Sequence, residues 1–361
     1  MTIELTAKRI LITLIGLIGA AVVVALLIAY SGLYNIAASR EHPAWLDWFL
    51  TVGMQESVKK NSSDVDVVPW ELNRVLPLGA AHFQTGCAVC HGAPDIRINP
   101  VFDHMLPSPP PLSKHAADWK PPQLFWIIKH GFQFTGMPGW SGDGRDDEVW
   151  AVALFVDALP EMSEQEYVTL ANGNAGSSES SALINHCSRC HGTQQAASTS
   201  PLVPRLGGQK PQYLLRSLQE YNDNVRQSGI MEPLVNDLEK ADLAQLAQYY
   251  ARLDEPAQSP PEFDGALLEE GRTLAEVGDR QKLIPACAQC HGAASSPDFP
   301  ALDGQHYAYL RNQLILWSQG GRQETAHGKL MAFVSRNLSL DQIEAVSAWY
   351  ASQPVASGAS R

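Results

Sequence analysis

Three stretches, CAVCHG (87–92), CSRCHG (187–192) and CAQCHG (287–292), recur one hundred residues apart and use all six cysteines of the 361-residue chain. Any fold for this sequence must give each C-x-x-C-H unit the same local task. A zinc site gathers four ligands in one place, and each unit offers two thiols and one imidazole with no second cysteine pair nearby. A redox C-x-x-C sits beside a strand–helix–strand pattern, and no convincing alternating strand pattern is present. Two cysteines one helical turn apart can instead add to the two vinyl groups of one porphyrin, with the adjacent histidine facing the iron. The motifs therefore predict three covalently bound haem c groups, held at Cys87 and Cys90, Cys187 and Cys190, and Cys287 and Cys290, with His91, His191 and His291 as iron ligands.

A sixth ligand decides whether such an iron carries electrons or does chemistry at an open position. Met137, Met231 and Met331 follow their histidines by 46, 40 and 40 residues, enough chain to wrap a haem edge. A lone methionine is usually core filler, but recurrence at one place in three repeats makes these the expected distal ligands. Met105 lies fourteen residues after His91, too soon to reach the far face, and His130 and His327 remain as alternative donors. Pro110, Pro204 and Pro300 each precede a leucine by two residues (Leu112, Leu206, Leu302). A carbonyl in this loop is placed to accept the N–H of the proximal imidazole and fix its ring.

The last two repeats match beyond their cysteines. PRLGGQKPQYLL (204–215) parallels PALDGQHYAYLR (300–311), and DLAQLAQYYA (242–251) parallels DQIEAVSAWYA (341–351). The first repeat is more distant, with Gly79 and Phe83 before its cysteines, PSPPPL (107–112), FTGMPGW (134–140) and the closing segment DDEVWAVALFVDAL (146–159). ANGNAGSSESS (171–181) and DEPAQSPPEFDG (254–265) read as linkers. Apolar residues fall at helical spacing throughout. The expected fold is all-α: a transmembrane helix and then three tandem small domains, at 76–170, 171–255 and 262–355.

Residues 10–30 read ILITLIGLIGAAVVVALLIAY, with no charge between Arg9 and Arg40. Twenty-one residues rising ~1.5 Å each span the ~30 Å core of a bilayer, and no clean A-x-A cleavage site follows. A retained anchor is expected. Lys8 and Arg9 place residues 1–9 in the cytoplasm, so a neck at 31–75 and all three domains face the periplasm of a bacterial inner membrane. Tyr30, Tyr34, Trp45 and Trp48 suit the outer interface. Gly16, Ala20, Ala21, Ala25 and Ala29 form small-residue stripes that permit close approach of a partner helix. The net charge of −12 excludes nucleic acid as a partner.

These residues resemble class I c-type cytochromes over nearly all of 76–355. The second and third repeats resemble tandem dihaem cytochromes of the c-four type, through CHG, P-x-L-x-G-Q-x-x-x-Y-L and the late methionine. The first resembles monohaem modules with G-x-x-x-F before the motif and TGMP after it. The resemblance implies crossed N- and C-terminal helices near each haem and His/Met ligation that favours reduced iron. Residues 31–50 resemble the neck of membrane-anchored cytochromes that accompany respiratory complexes. The expected function is electron transfer without a catalytic site of its own, as partner or subunit of a membrane complex such as a haem–copper oxidase. The alternative is an electron-accepting subunit of a periplasmic dehydrogenase. An enzyme with one open haem would need distal acid–base groups, for which Lys129 and His130 are the hints.

Overall fold

The computed structural model describes residues 6–67, 72–94, 96–173, 182–256, 260–292 and 294–355. Residues 174–181 of the first expected linker and 257–259 of the second lie outside them. The described residues are helical, with two isolated bridges, Ala93–Ile96 and Asp279–Ile284, and no strand.

Helix α1 (Ala7–Ser31) buries none of its residues and ends at Gly32, whose φ of 68° is the left-handed cap an uninterrupted helix commonly needs. Helix α2 (Ala44–Asn61) starts after Pro43 and carries Asp47 in its first turn and Lys59 and Lys60 in its last, matching the helix dipole. It is apolar on two opposite sides. Leu46, Met54 and Val58 lie on one side, with Val58 fully buried, and α2 packs on α4 (Pro121–His130). Trp45, Trp48, Phe49 and Val52, at spacing i, i+3, i+4, i+7, lie on the other and are exposed.

Three helical units follow, each with its own buried cluster. In the first, α3 (Leu72–His82) crosses α5 (Asp146–Ala158), and both α4 and α6 (Glu164–Asn172) pack against this pair. Phe83, Phe155 and Tyr167 close its core, with ring centroids 5.3–6.3 Å apart. The crossing depends on Gly79, since a Cβ there would lie 2.3 Å from the Ala151 carbonyl oxygen. The third unit repeats the device: α11 (Gly265–Glu276) crosses α14 (Leu340–Ser352) at Gly271, where a Cβ would lie 2.1 Å from the Ala345 oxygen. These are the crossed terminal helices that the family resemblance implies.

The second unit is built from α7 (Ala182–His191), α8 (Pro211–Asn222), the short α9 (Met231–Val235) and α10 (Lys240–Ala251), with α8 against α10. The third completes itself with α12 (Tyr307–Ser318) and α13 (Ala326–Arg336), both packed on each other. Neighbouring units do not merely touch through linkers. Val203 and Ile230 of the second are buried in the core cluster of the first. The loops after Pro204 and Pro300 form a buried seam between the second and third.

Candidate functional site

Each C-x-x-C-H unit ends a helical turn: Ala88–His91 in the first, the end of α7 in the second, and Ala288–His291 in the third. The six cysteines are half-buried and none is paired in a disulfide. The described residues contain no group of three or more His, Cys, Asp and Glu side chains placed to hold a metal ion.

All three histidines meet the proline carbonyl anticipated from sequence. Nδ1 of His91 lies 2.9 Å from the oxygen of Pro110, that of His191 3.3 Å from Pro204, and that of His291 3.0 Å from Pro300. A carbonyl only accepts, so Nδ1 carries the proton and Nε2 keeps a lone pair for a ligand. Burial holds all three imidazoles below their ordinary pKa, that of His191 at about 4, against the opposing pull of each proline carbonyl. Neutral imidazole with a free Nε2 is the form that binds iron.

In the second and third units the expected residues converge. One continuous cavity is lined by Cys187, Cys190, His191 and Met231 and, beyond the seam, by Cys287, His291 and Met331. His327 also lines it, but its Nε2 accepts from Arg216 Nη1 at 3.3 Å, which occupies its lone pair. In the first unit, among the described residues, the two expected ligands line no common cavity of this size. His91 borders a shallow hollow with Ile96, Arg97 and Asp103, and Met137 stands half-buried outside it. Met105 packs against Gly136, beside Met137, where a Cβ would lie 1.9 Å from its methyl carbon. His130 is exposed at the end of α4.

The shared cavity holds further residues that sequence reading did not single out. Arg226 and Arg322, at matching places in the two repeats, are buried, stack on Tyr221 and Trp317 at 4.6 and 4.4 Å, and leave Nε without a hydrogen-bond partner. Tyr213 and Tyr309 line the same space. A buried guanidinium with an open N–H calls for an anionic oxygen. Haem brings two propionates, so the donor set fits that group, and Arg226, Arg322, Tyr213 and Tyr309 are the residues that would hold its carboxylates. The signal was the recurrence of Arg after YN and QG ends of equivalent helices, which reads from sequence alone as a solvated charge.

A second overlooked group lies where α5 begins. Arg145, Asp147 and Glu148 are nearly buried and joined by ion pairs of 2.7–2.9 Å. From sequence they read as an acidic first turn that complements the helix dipole.

Comparison with known proteins agrees with this chemistry. Residues 75–156 match the family described as cytochrome c oxidase, cbb3-type, subunit III. A thiosulfate dehydrogenase electron acceptor from Thiomonas intermedia (strain K12) is 36% identical over 172 residues, 47% of this chain and 79% of that protein. A cytochrome c-552 from Acidithiobacillus ferridurans is 32% identical over 191 residues, 50% of this chain and 81% of that protein. A cytochrome c4 from Pseudomonas aeruginosa is 31% identical over 183 residues, 50% of this chain and 88% of that protein. The chain thus belongs to the class I c-type cytochromes, electron-transfer proteins, and carries three covalent haem c groups on its pairs Cys87/Cys90, Cys187/Cys190 and Cys287/Cys290.

Proposed function

We propose that this trihaem cytochrome is an electron relay tethered to the bacterial inner membrane, passing electrons between a periplasmic dehydrogenase and a membrane-bound haem–copper oxidase. Haem iron supplies a one-electron ferrous–ferric couple. His91, His191 and His291, with Met137, Met231 and Met331, would hold the irons and leave no coordination position for substrate. Methionine ligation raises the potential, which suits the oxidising end of a respiratory chain. The observation that carries this reading is the convergence of both His–Met sets of the last two units on one cavity.

Two likenesses support the two ends of the relay. The first unit matches a subunit family of cbb3-type oxidase, which favours the oxidase as its partner. The relative that accepts electrons from thiosulfate dehydrogenase favours a dehydrogenase as donor to the second and third units, taken as a tandem pair. Helix α1 is long and apolar enough to cross a bilayer. In this reading it is a retained anchor, and the free apolar side of α2 lies in the outer interface. The domains are those expected at 76–170, 171–255 and 262–355.

The test uses the full chain in detergent with thiosulfate dehydrogenase and thiosulfate, followed by membranes that contain the oxidase. Haem reduction in the first step and reoxidation in the second, blocked by cyanide, support the relay. Reduction without oxidase-dependent reoxidation confines the chain to the acceptor role, and failure of both removes the proposal.

A further inference from the structure

The methionines of the second and third units are held differently. Met331 lies inside α13, an eleven-residue helix whose first turn is capped from within its own unit by Thr325, which accepts from Gly328 N–H at 3.0 Å. Met231 is the first residue of α9, which has five residues and no capping side chain at its N-cap position Ile230. A helix that short has little stability of its own. Something else must fix the arm that carries Met231.

Glu148 of the first unit does so. One carboxylate oxygen accepts from Ser228 Oγ at 2.6 Å, and the other accepts from Gly229 N–H at 2.8 Å and from the Trp140 indole at 3.3 Å. A hydroxyl has one hydrogen and two lone pairs. Ser228 gives its hydrogen to Glu148, which leaves both lone pairs for the N–H groups of Met231, at 2.9 Å, and Ile230, at 3.3 Å. Arg145 locks the same joint: it pairs with Glu148 at 2.7 Å and donates to the Gln227 carbonyl at 3.1 Å. Glu148, Arg145 and Ser228 are all nearly or fully buried. Trp140 fills the space against Gly229, where a Cβ would lie 2.2 Å from the indole nitrogen.

We propose that Glu148 is a positioning residue for the second haem: through Ser228, the first unit holds the Met231 arm of its neighbour and thereby sets that haem's methionine ligation. The inference rests on the reading of Met231 as a ligand. Trp140 follows the Met137 segment by three residues, so the joint also ties the methionine segment of the first unit to that of the second. Loss of Glu148 leaves Ser228 and Gly229 donors buried without an acceptor, and the arm loosens.

The test uses the full-length haem-loaded protein and reads the ferric methionine–iron charge-transfer absorbance together with imidazole binding to each haem. Met231→Ala removes the share of that band belonging to one haem in three. Glu148→Gln and Ser228→Ala should weaken the same share and raise imidazole affinity at that haem by about ten- to a hundredfold, the worth of a hydrogen bond to a charged group. Ser228→Ala serves if Glu148→Gln does not fold. Glu344→Gln, which removes an ion pair to Arg311 at 3.1 Å within the third unit, should leave the band intact. An intact band and unchanged imidazole affinity in a folded Ser228→Ala or Glu148→Gln protein overturn the positioning role, even where thermal stability falls. An intact band in Met231→Ala instead shows that the ligand assignment is wrong.

Discussion

Gln209 and Gln305, equivalent residues of consecutive repeats, each spend both ends of their side-chain amide on the other's unit. Gln209 donates to the Ala301 carbonyl at 2.6 Å and accepts from the Ala301 N–H at 3.1 Å. Gln305 donates to the Arg205 carbonyl at 3.0 Å and accepts from the Arg205 N–H at 2.9 Å. Ala301 and Arg205 follow the very prolines whose carbonyls orient His291 and His191. The exchange is a local two-fold relation that joins the proximal loops of both haem sites.

Gln209→Ala and Gln305→Ala should each strip a buried backbone N–H and C=O of their partners. Each costs about 1–3 kcal/mol, the penalty for a buried polar group left unmade. Urea unfolding of the haem-loaded protein measures this, and the double variant reports coupling between the two halves of the exchange. Costs within a few tenths of a kcal/mol for both variants would show that the seam does not depend on the exchange.

Acid should weaken the same seam through His306, whose Nε2 lies 2.8 Å from Ser198 Oγ across it. Burial, with Arg205 pushing the same way, holds its pKa at about 4 against 6.5 when exposed. A depressed folded pKa means the unfolded chain binds the proton first. The contribution to stability is therefore complete above pH 6.5 and is lost as pH falls towards 4. Unfolding midpoints at pH 7, 5.5 and 4.5 should fall less steeply in His306→Gln than in the parent. Parallel curves would assign the acid sensitivity to other groups.

The first haem is the site where ligand choice needs the sharpest test, because Met105 packs beside Met137. Met137→His should lower the potential of one haem and leave the other two nearly unchanged, since histidine in place of methionine favours ferric iron. Spectroelectrochemical titration of the three haems reads this directly. Unmoved potentials in Met137→His, with a single lowered potential in Met105→His, would transfer the ligand role to Met105.

The exposed side of α2 should report a bilayer. All six native cysteines are committed to haem, so an introduced cysteine is the sole free thiol for a spin label. In vesicle-embedded full-length protein, labels at Trp48 and Val52 should be more accessible to oxygen than to a water-soluble nickel reagent, with the order reversed at Lys60, which is exposed and lies off both apolar sides of the helix. Equal accessibility to the nickel reagent at all three positions would place α2 in water.

Most of the haem chemistry was legible because covalent attachment needs a contiguous motif, and because each proline lies close enough to its histidine for a local loop to join them. The all-α fold followed from helical spacing, and the neck helix was hidden by its two-sided apolarity, which blurs a single stripe. Contacts between units were not legible. Glu148 meets Ser228 across eighty residues and Gln209 meets Ala301 across ninety-two. Neither pair carries a local pattern, and a glutamate in a first helical turn has a sufficient local explanation in the dipole. Arg226 and Arg322 were missed for a related reason: charged residues at helix ends are usually solvated, and only the fold shows them buried.

The packing of α2 on α4 also fixes how freely the first unit turns. With α1 in a bilayer, the stretch that joins it to α2 is residues 32–43, twelve residues with a reach of about 40 Å at most. On the proposed reading, a helix wedged between the bilayer and α4 would remove tumbling as well as distance, so the first unit would present one fixed side to whatever shares its membrane. Its encounter with a membrane partner would become a search over position in a plane, with orientation already chosen. A freely diffusing cytochrome has to find both.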